Sequence, residues 1–490
     1  MRRFFSVIPT SLLAAFVAFS ASSLCWADDS SVTPIATEFS INTEDQLGEY
    51  RGFGIGIHPG DVIYSEAFDE LDLEYVRMEL GPVWYDLAEQ IPAGVSVAEL
   101  QAFIERNYNG DAYNRLEGAR YTHGFLRARD IQLILIHFEL PYHWRAQGGL
   151  GVFLSEHIDD LARFYAAHLL FLESHGVQID YIELANEPDG HWNGLVTPAD
   201  YARLVKSCRE IFDENGLHAV KILGPGLAFL NLYGKTPAYL SALGQDASDA
   251  LFGWSMHTWD EVEFVQSNPE YAYGVWQPFF DGIYKTDPDG TKPLFLTEYG
   301  SDVTHYGGVD YASPRVQVAE TVVDTWDYAL RVMANSINHL NRGVNALVLY
   351  RLSNAHWHKT GWGIIQPETA ETFQRKPVFW AVRDFIADLP TEVEVLSPSW
   401  YQSNDAVVYS VFLDHANKEL TVLMANWTGH TQSESLRFAD LPGLKLLEKK
   451  GRNEVGRFQP EFSQSDSECG AGFSVELPER SIIRLSFTFE

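Results

Sequence analysis

Short apolar segments alternate with amphipathic segments through the middle of the chain, and this alternation constrains the fold more than any other feature. Residues 131–138 are almost continuously apolar, which is typical of a strand buried on both faces. Residues 155–176 then carry apolar side chains at helical spacing, and Gly176 ends that segment. Thr197, as the N-cap, and Pro198 mark the start of the next helix. The repeated strand–helix order predicts a parallel sheet.

Eight candidate strands follow one another in this way before the pattern changes. They lie at residues 53–57, 75–78, 133–138, 181–185, 220–223, 254–257, 294–297 and 346–349. Eight such repeats predict an α/β fold, the (β/α)8 TIM barrel. From about residue 392 the apolar residues alternate with period two, which predicts an antiparallel β-sandwich. We therefore predict a barrel over residues 49–390 and a smaller C-terminal β-sandwich over 391–490, with residues 28–48 joining the sandwich.

The first residues have the pattern of an export signal. Arg2 and Arg3 precede an apolar run at residues 8–19, and small residues lead to Asp28. The pattern predicts a signal peptide over residues 1–27 and a secreted or periplasmic protein. A membrane anchor is the alternative, but the apolar run is short for a bilayer span. No membrane association is expected once the signal is cleaved.

The charge of the chain excludes some partners. Lys and Arg number 35 against 67 Asp and Glu, which gives a formal net charge of −32. Binding to nucleic acid or to an anionic membrane needs clustered cations, so neither partner is expected. Two cysteines remain after signal cleavage, Cys208 and Cys469. A buried thiol at Cys208 is the simpler interpretation, and a disulfide between the two stays open.

Two glutamates stand where predicted strands end, which is where a barrel of this type carries its active residues. Glu187 follows strand four in Ala185-Asn186-Glu187-Pro188, and Glu298 ends strand seven in Leu296-Thr297-Glu298-Tyr299-Gly300. These strands face each other across the barrel mouth, so the two carboxyl groups can converge. Glycosidic cleavage needs one protonated and one ionised carboxyl group. The alternative is a pair of ordinary surface acids in ion pairs.

These two segments resemble the clan A glycoside hydrolases. The segment Tyr181-Ile-Glu-Leu-Ala-Asn-Glu-Pro188 is similar to the strand-four motif of glycoside hydrolase family 39, although Ala185 stands where Trp is usual. Asn186-Glu187-Pro188-Asp189, followed by Trp192, Thr197 and Pro198, resembles family 30. The resemblance implies a barrel beside a β-sandwich and a retaining mechanism. No cofactor or metal is expected, because both proposed catalytic groups are carboxyl groups.

The resemblance also implies roles for individual residues. Glu187 would be the general acid/base and Glu298 the nucleophile, with Asn186 bonded to the sugar 2-hydroxyl. Arg77 matches the strand-two arginine of the clan, and a cation beside Glu298 would keep it ionised. For Arg77 the alternative is an ion pair at the other end of the barrel. His257 matches a residue near the nucleophile, and a core histidine is the alternative.

Aromatic residues concentrate in the predicted loops, where flat rings can stack on the apolar faces of sugars. We count Trp144, Trp192 and Trp357 among the substrate-binding residues, together with Tyr299 beside Glu298. Packing within the loops is the alternative for each. Cations such as Arg145 and Arg351 near the same mouth suggest an acidic sugar, and ordinary loop charges are the alternative.

The sequence thus predicts a secreted retaining β-glycosidase that hydrolyses a β-linked polysaccharide or oligosaccharide. Two alternatives stay open: a transglycosylase that uses the same covalent intermediate, and a carbohydrate-binding protein without catalysis. Loops decide the sugar, the linkage and the choice of exo or endo action, so a single sequence does not rank them. It does not indicate the oligomeric state either.

Overall fold

A computed structural model describes most of the chain. The described ranges are 37–41, 46–81, 83–108, 115–146, 151–190, 193–228, 235–259, 269–301, 323–354, 362–369, 372–386, 389–396, 406–438, 441, 443–467 and 470–489. The predicted signal peptide at 1–27 lies outside these ranges. Within them, every helix is too short or too polar to cross a bilayer.

Eight parallel strands close into a barrel, and two short strands, β1 (Thr37–Ile41) and β2 (Gln46–Tyr50), precede it. The barrel strands are β3 (Gly52–Gly56), β4 (Tyr75–Met78), β5 (Gln132–Ile136), β6 (Tyr181–Glu183), β7 (Lys221–Leu227), β8 (Gly253–Thr258), β9 (Leu294–Tyr299) and β10 (Ala346–Leu349). Pairing of β10 with β3 closes the barrel. The predicted TIM barrel is confirmed.

Helices surround the barrel. They are α1 (Ser65–Leu71), α2 (Val97–Asn107), α3 (Arg115–Arg127), α4 (Ile158–Ser174), α5 (Pro198–Glu214), α6 (Lys235–Ala250), α7 (Pro269–Thr286), α8 (Trp326–Leu340) and α9 (Pro377–Phe385). Helix α5 begins where the sequence predicts, because the Thr197 hydroxyl accepts a hydrogen bond from the Asp200 amide at 3.3 Å. Cys208 of α5 is a buried free thiol, and Cys469 lies outside the described residues.

The remaining strands form a small ribbon and two larger sheets. They are β11 (Ile365–Pro367), β12 (Phe373–Arg375), β13 (Val393–Leu396), β14 (Val407–Asp414), β15 (Glu419–Asn426), β16 (Gln432–Phe438), β17 (Lys445–Asn453), β18 (Gly456–Phe458), β19 (Phe462–Ser467), β20 (Gly470–Leu477) and β21 (Ser481–Thr488). One sheet has the order β18-β17-β21-β15-β14-β13-β2, and the other has the order β1-β16-β20-β19. The predicted C-terminal antiparallel sandwich is confirmed.

The N-terminal strands belong to the sandwich sheets, one to each. Strand β1 pairs in parallel with β16, while β2 pairs with β13 at the edge of the larger sheet. Chain segments far apart in sequence therefore build this part of the fold. The residue boundaries of the barrel and the sandwich stay a prediction.

Strand β14 is buried on both of its faces, which explains its continuous apolar sequence. Val408 and Phe412 belong to the core that β14 shares with the barrel, whereas Val407 and Val411 face the interior of the sandwich. Successive side chains of a strand point to opposite faces, so one strand serves both cores.

Two layers of side chains fill the barrel interior. The lower one, here called the apolar layer, consists of Tyr75, Ile134, Tyr181, Leu223, Phe295, Ala346 and Val348. Two residues further along β4 and β6, the same faces carry Arg77 and Glu183, both fully buried. These two side chains, with His257 and Glu298, form what we call the charged layer.

Candidate active site

Arg77 lies at the centre of the charged layer. Its Nε donates to Glu183 Oε2 at 3.0 Å, and its Nη1 donates to Glu298 Oε2, also at 3.0 Å. Its Nη2 donates to Asn186 Oδ1 at 2.6 Å and lies 3.2 Å from His257 Nε2. Arg77 therefore faces the carboxyl ends of the strands, among three of the other predicted site residues.

Glu183 lies beneath the site and accepts hydrogen bonds from several elements. Besides Arg77, the hydroxyls of Ser255 and Thr297 both donate to its Oε1 at 2.7 Å. Burial alone would raise the pKa of Glu183, but the charge of Arg77 and the surrounding donors lower it to about 2. Glu183 is therefore negatively charged near neutral pH and pairs with Arg77 from below.

A bulge in β9 directs Glu298 into the barrel. On the neighbouring strand β8, Met256 pairs with Leu296 and His257 pairs with Glu298, so Thr297 is an extra residue. Thr297 and Glu298 consequently both contact charged groups of the interior. Regular alternation would have turned Glu298 away, and bulges commonly re-aim a side chain beside an active site.

Glu187 reaches the site from the loop after β6. Its backbone has a φ of 51°, a left-handed conformation that costs a residue with a side chain about 1–2 kcal/mol. Its amide donates to the carbonyl of Gly226 at 3.1 Å. Gly226 is itself left-handed, and a side chain there would collide with Glu183 Oε1 at 2.6 Å. This junction therefore requires glycine at 226.

Glu298 is almost fully buried, with 10% of its side chain exposed. Burial raises the pKa of Glu298 and the nearby charge of Glu187 raises it further, whereas His257 and Arg77 oppose the rise. The two glutamates thus compete for one proton. The guanidinium of Arg77 contacts Glu298 directly and favours its ionised form.

His257 connects the two glutamates. Its Nδ1 lies 3.1 Å from Glu187 Oε1 and 4.0 Å from Glu298 Oε2, and the ring is completely buried. Burial would lower the pKa of His257, but Glu298, Glu183 and Glu187 raise it to about 9. Its other nitrogen faces the donor Nη2 of Arg77, which would favour a neutral ring. The carboxylates thus favour a protonated His257 ring, whereas the guanidinium of Arg77 favours a neutral one.

The remaining predicted site residues do not join this cluster. Tyr299 points behind the barrel, where its hydroxyl lies 2.9 Å from Ser336 Oγ of α8. Trp144 is buried and stacks on His157, with ring centroids 5.2 Å apart. Trp192 and Trp357 lie outside the described residues.

Two aromatic groups border the site, and the sequence indicated them only in part. Trp259 lies 5.5 Å from Tyr350 and 5.0 Å from Trp362, measured between ring centroids. Burial raises the pKa of Tyr350, and the negative charge of Glu298 raises it further. Tyr350 therefore lies close to Glu298. Trp259 and Trp362 stand in predicted loops, but Tyr350 had no distinguishing signal beyond its place after a strand.

The second group lies at the ends of β4 and β5. Trp84 and Tyr142 are in edge contact, with centroids 4.5 Å apart, and Tyr85 bonds to Glu79. Tyr85 and Tyr142 are each 41% exposed. Burial raises the pKa of Glu79 to about 7, so this carboxyl group is partly protonated near neutral pH. Exposed rings beside a carboxyl group can bind a sugar through both its face and its hydroxyls.

The carboxyl groups of Glu187 and Glu298 lie close enough to act on one bond. One oxygen from each, with a nitrogen of His257, lies within 4.8 Å of the others. Such a trio can serve as acid, base and nucleophile around a single reacting atom. The same three atoms are also the ligand types that bind transition metals.

Comparisons with known proteins bear on the fold. The sequence matches no protein-family model and no curated protein. The structure is similar to the glycoside hydrolase family 30 subfamily 8 xylanase from Clostridium acetobutylicum, with a TM-score of 0.61, 12% identity and coverage of 92% of this chain and 99% of that one. It is also similar to the family 30 xylanase C from Talaromyces cellulolyticus, with a TM-score of 0.62, 14% identity and coverage of 92% and 100%.

A third similar structure is the family 51 α-L-arabinofuranosidase from Bifidobacterium longum, with a TM-score of 0.61, 15% identity and coverage of 93% and 100%. Because enzymes with different substrates share the fold, the fold does not identify the sugar. The predicted resemblance to clan A and family 30 is confirmed for the fold, which this chain shares over almost its whole length.

Proposed function

We propose that the protein is an exported, retaining β-glycosidase. One observation carries this proposal: an oxygen of Glu187 lies within 4.8 Å of an oxygen of Glu298. Retaining glycosidases hold their carboxyl groups about 5–5.5 Å apart, and inverting ones hold them about 6.5–9.5 Å apart to admit a water molecule. The separation favours direct attack by a carboxylate on the sugar.

In the first step Glu298 attacks the anomeric carbon and Glu187 protonates the leaving oxygen. Arg77, at 3.0 Å from Glu298, stabilises the carboxylate before the attack. The glycosidic bond breaks as the ester bond to Glu298 forms, and the leaving group takes the proton from Glu187.

In the second step Glu187 accepts a proton from water, which attacks the same carbon and releases Glu298. Esterification removes the negative charge of Glu298, and that charge had raised the proton affinity of Glu187. The pKa of Glu187 therefore falls during the reaction, as a group that changes from acid to base requires. The bond from His257 to Glu187 holds this carboxyl group in place throughout.

Asn186 is suited to bind the sugar 2-hydroxyl. Arg77 occupies its Oδ1 at 2.6 Å, so the amide nitrogen is directed away from Arg77. A fixed N–H donor at the 2-hydroxyl gains strength as the sugar becomes cationic. Asn186 would then contribute to the rate of the reaction more than to the affinity for substrate.

We propose a β-linked polysaccharide or its oligosaccharides as the substrate. The similar structures include two family 30 xylanases and an endo-β1,6-glucanase. The exposed rings of Tyr85 and Tyr142 give an additional surface on which further sugar units can stack. Export is proposed from the N-terminal sequence alone.

The test is reducing-sugar release from xylan, β-glucans and acidic polysaccharides, with proton NMR of the first product. We expect one polymer to be cleaved with retention of the anomeric configuration. We expect Glu298→Ala to lower kcat by about 10⁴-fold or more, since it removes the group that forms the intermediate.

The matched control is Glu210→Gln, which neutralises an exposed glutamate on α5 and should leave kcat unchanged. Azide should partly restore the activity of Glu298→Ala by replacing the missing nucleophile, giving a glycosyl azide of opposite configuration. Inversion of the first product by the wild-type enzyme would contradict the mechanism, as would full activity of Glu298→Ala.

A further inference from the structure

Three side chains of the candidate site, two of them the proposed catalytic glutamates, also form a set of possible metal ligands. Glu187, His257 and Glu298 each offer one ligand atom, and these atoms lie within 4.8 Å of one another. Each comes from a different strand or strand end, so the barrel itself fixes their arrangement. Glu187 keeps 14% of its side chain exposed, which gives an ion access from the mouth.

The distances suit a small tetrahedral ion. Zinc lies about 2.0–2.2 Å from nitrogen and oxygen ligands, which places two of its ligands about 3.4 Å apart. His257 Nδ1 is 3.1 Å from Glu187 Oε1 and 4.0 Å from Glu298 Oε2. Changes of about 0.3 Å and 0.6 Å would bring these two distances to that spacing, and the oxygens of Glu187 and Glu298, which lie within 4.8 Å of each other, would have to approach by up to about 1.4 Å.

The charges of the site also favour a dication. Glu183 and Glu298 both pair with the guanidinium of Arg77, and Glu187 adds a third carboxyl group to the site. Once Glu187 and His257 have released their protons to bind the ion, the three carboxylates and Arg77 carry a net charge of minus two, which a divalent ion neutralises. Calcium and magnesium need six or more oxygen ligands, so a set of one nitrogen and two oxygens favours zinc, copper, nickel or cobalt.

We propose that Glu187, His257 and Glu298 bind one divalent transition-metal ion, and that this ion inhibits the enzyme. The bound ion would occupy the oxygen atoms of both carboxyl groups, so neither proton transfer nor nucleophilic attack can proceed. Substrate and metal then compete for the same site. Binding follows from the ligand geometry alone, and only the inhibition rests on the proposed function.

Binding is tested on the full mature chain, with Zn²⁺ in calorimetry and Co²⁺ in visible absorption, which reports tetrahedral coordination. We expect one ion per chain with the d–d bands of a tetrahedral site. Glu298→Gln and His257→Gln should each weaken the binding at least tenfold. The control His218→Gln removes an exposed histidine paired with Asp213 and should leave the binding unchanged.

Circular dichroism verifies that each variant is folded. No binding of Zn²⁺ by the wild-type chain at millimolar concentration would overturn the proposal. Equal binding by the wild type and by both folded site variants would also overturn it, because the ion would then lie elsewhere.

Inhibition is tested with the polysaccharide that the enzyme cleaves. We expect Zn²⁺ to raise KM at constant kcat, and EDTA to reverse the effect. Unchanged hydrolysis at a zinc concentration that saturates the site in calorimetry would disprove the inhibition. If no polysaccharide is cleaved, the proposed function fails, while calorimetry and Co²⁺ absorption still decide whether the site exists.

Discussion

The two layers inside the barrel have opposite chemistry although they are consecutive on the same strands. Tyr75 belongs to the apolar layer and Arg77, two residues later, is the centre of the charged layer. Tyr181 and Glu183 repeat this contrast on β6. Both layers are equally buried, so burial alone does not distinguish them. The charged layer is the one at the carboxyl ends of the strands, where a barrel carries its active residues.

The difference shows how stability is distributed between the layers. The apolar layer gains free energy from each buried ring, as in an ordinary core. The charged layer gains little net free energy from burial, because the attraction between its charges is largely offset by desolvation. It is stable only while it is complete, and removal of one member leaves the others uncompensated.

The largest effect is expected from Arg77→Met, which removes the common partner of Glu183 and Glu298. We expect the free energy of unfolding to fall by about 3–5 kcal/mol, as for other broken buried ion pairs. Urea unfolding at pH 6 measures this. A change below about 1 kcal/mol would show that the charged layer depends little on its central cation.

The next effect is a pH dependence that arises from His257. Its pKa in the folded protein is about 9, above the ordinary value of 6.5, so the stabilisation is complete below pH 6.5 and is lost as the pH rises through 9. The wild type should lose about 3 kcal/mol more than His257→Gln over this range. Urea unfolding between pH 6 and pH 10 compares the two proteins. Parallel profiles would mean that the contact with Arg77 keeps the ring neutral.

A smaller effect is expected in the apolar layer from Phe295→Leu. The substitution leaves a partial cavity beneath the site and should lower the free energy of unfolding by about 1–2 kcal/mol. Because Phe295 packs on Tyr75 and Tyr181 of the apolar layer, kcat should stay within about twofold of the wild-type value. A large loss of activity without a matching loss of stability would show that the layers are coupled.

The smallest effect is expected from Tyr75→Phe. This substitution removes only the hydrogen bond from the Tyr75 hydroxyl to the carbonyl of Arg51, at 3.1 Å. We expect a loss of about 1 kcal/mol or less in the free energy of unfolding and no change in kcat. Thermal unfolding and the hydrolysis assay provide the two measurements, and an effect as large as that of Arg77→Met would contradict the contrast between the layers.

The sequence predicted the fold because the fold rests on periodicity. All eight barrel strands begin within two residues of their predicted positions, since a buried strand needs a continuous apolar run. Strand β7 extends further than predicted, to Leu227 through Gly224, Pro225 and Gly226. Glycine and proline are turn signals, so an apolar pattern gives no indication that the strand continues through them.

The candidate site was less predictable where alternation is interrupted. Arg77, Asn186, Glu187, His257 and Glu298 converge, which the resemblance to clan A implied. Tyr299 does not join them, because the extra residue at Thr297 reverses the orientation of the residues that follow. The alternating sequence pattern of a strand does not reveal a bulge, because a bulge depends on contacts between strands.

The bulge at Thr297 has a consequence for how this gene tolerates change. Loss of the Thr297 codon would restore regular alternation: Glu298 would follow Leu296 directly and take the inward position that Thr297 now holds. The glutamate would still face the interior, but the strand would lose one of the two consecutive side chains that now contact the charged layer. A point mutation at this threonine removes only one hydroxyl contact with Glu183. The position of the carboxyl group in this strand therefore depends on residue spacing as well as on residue identity.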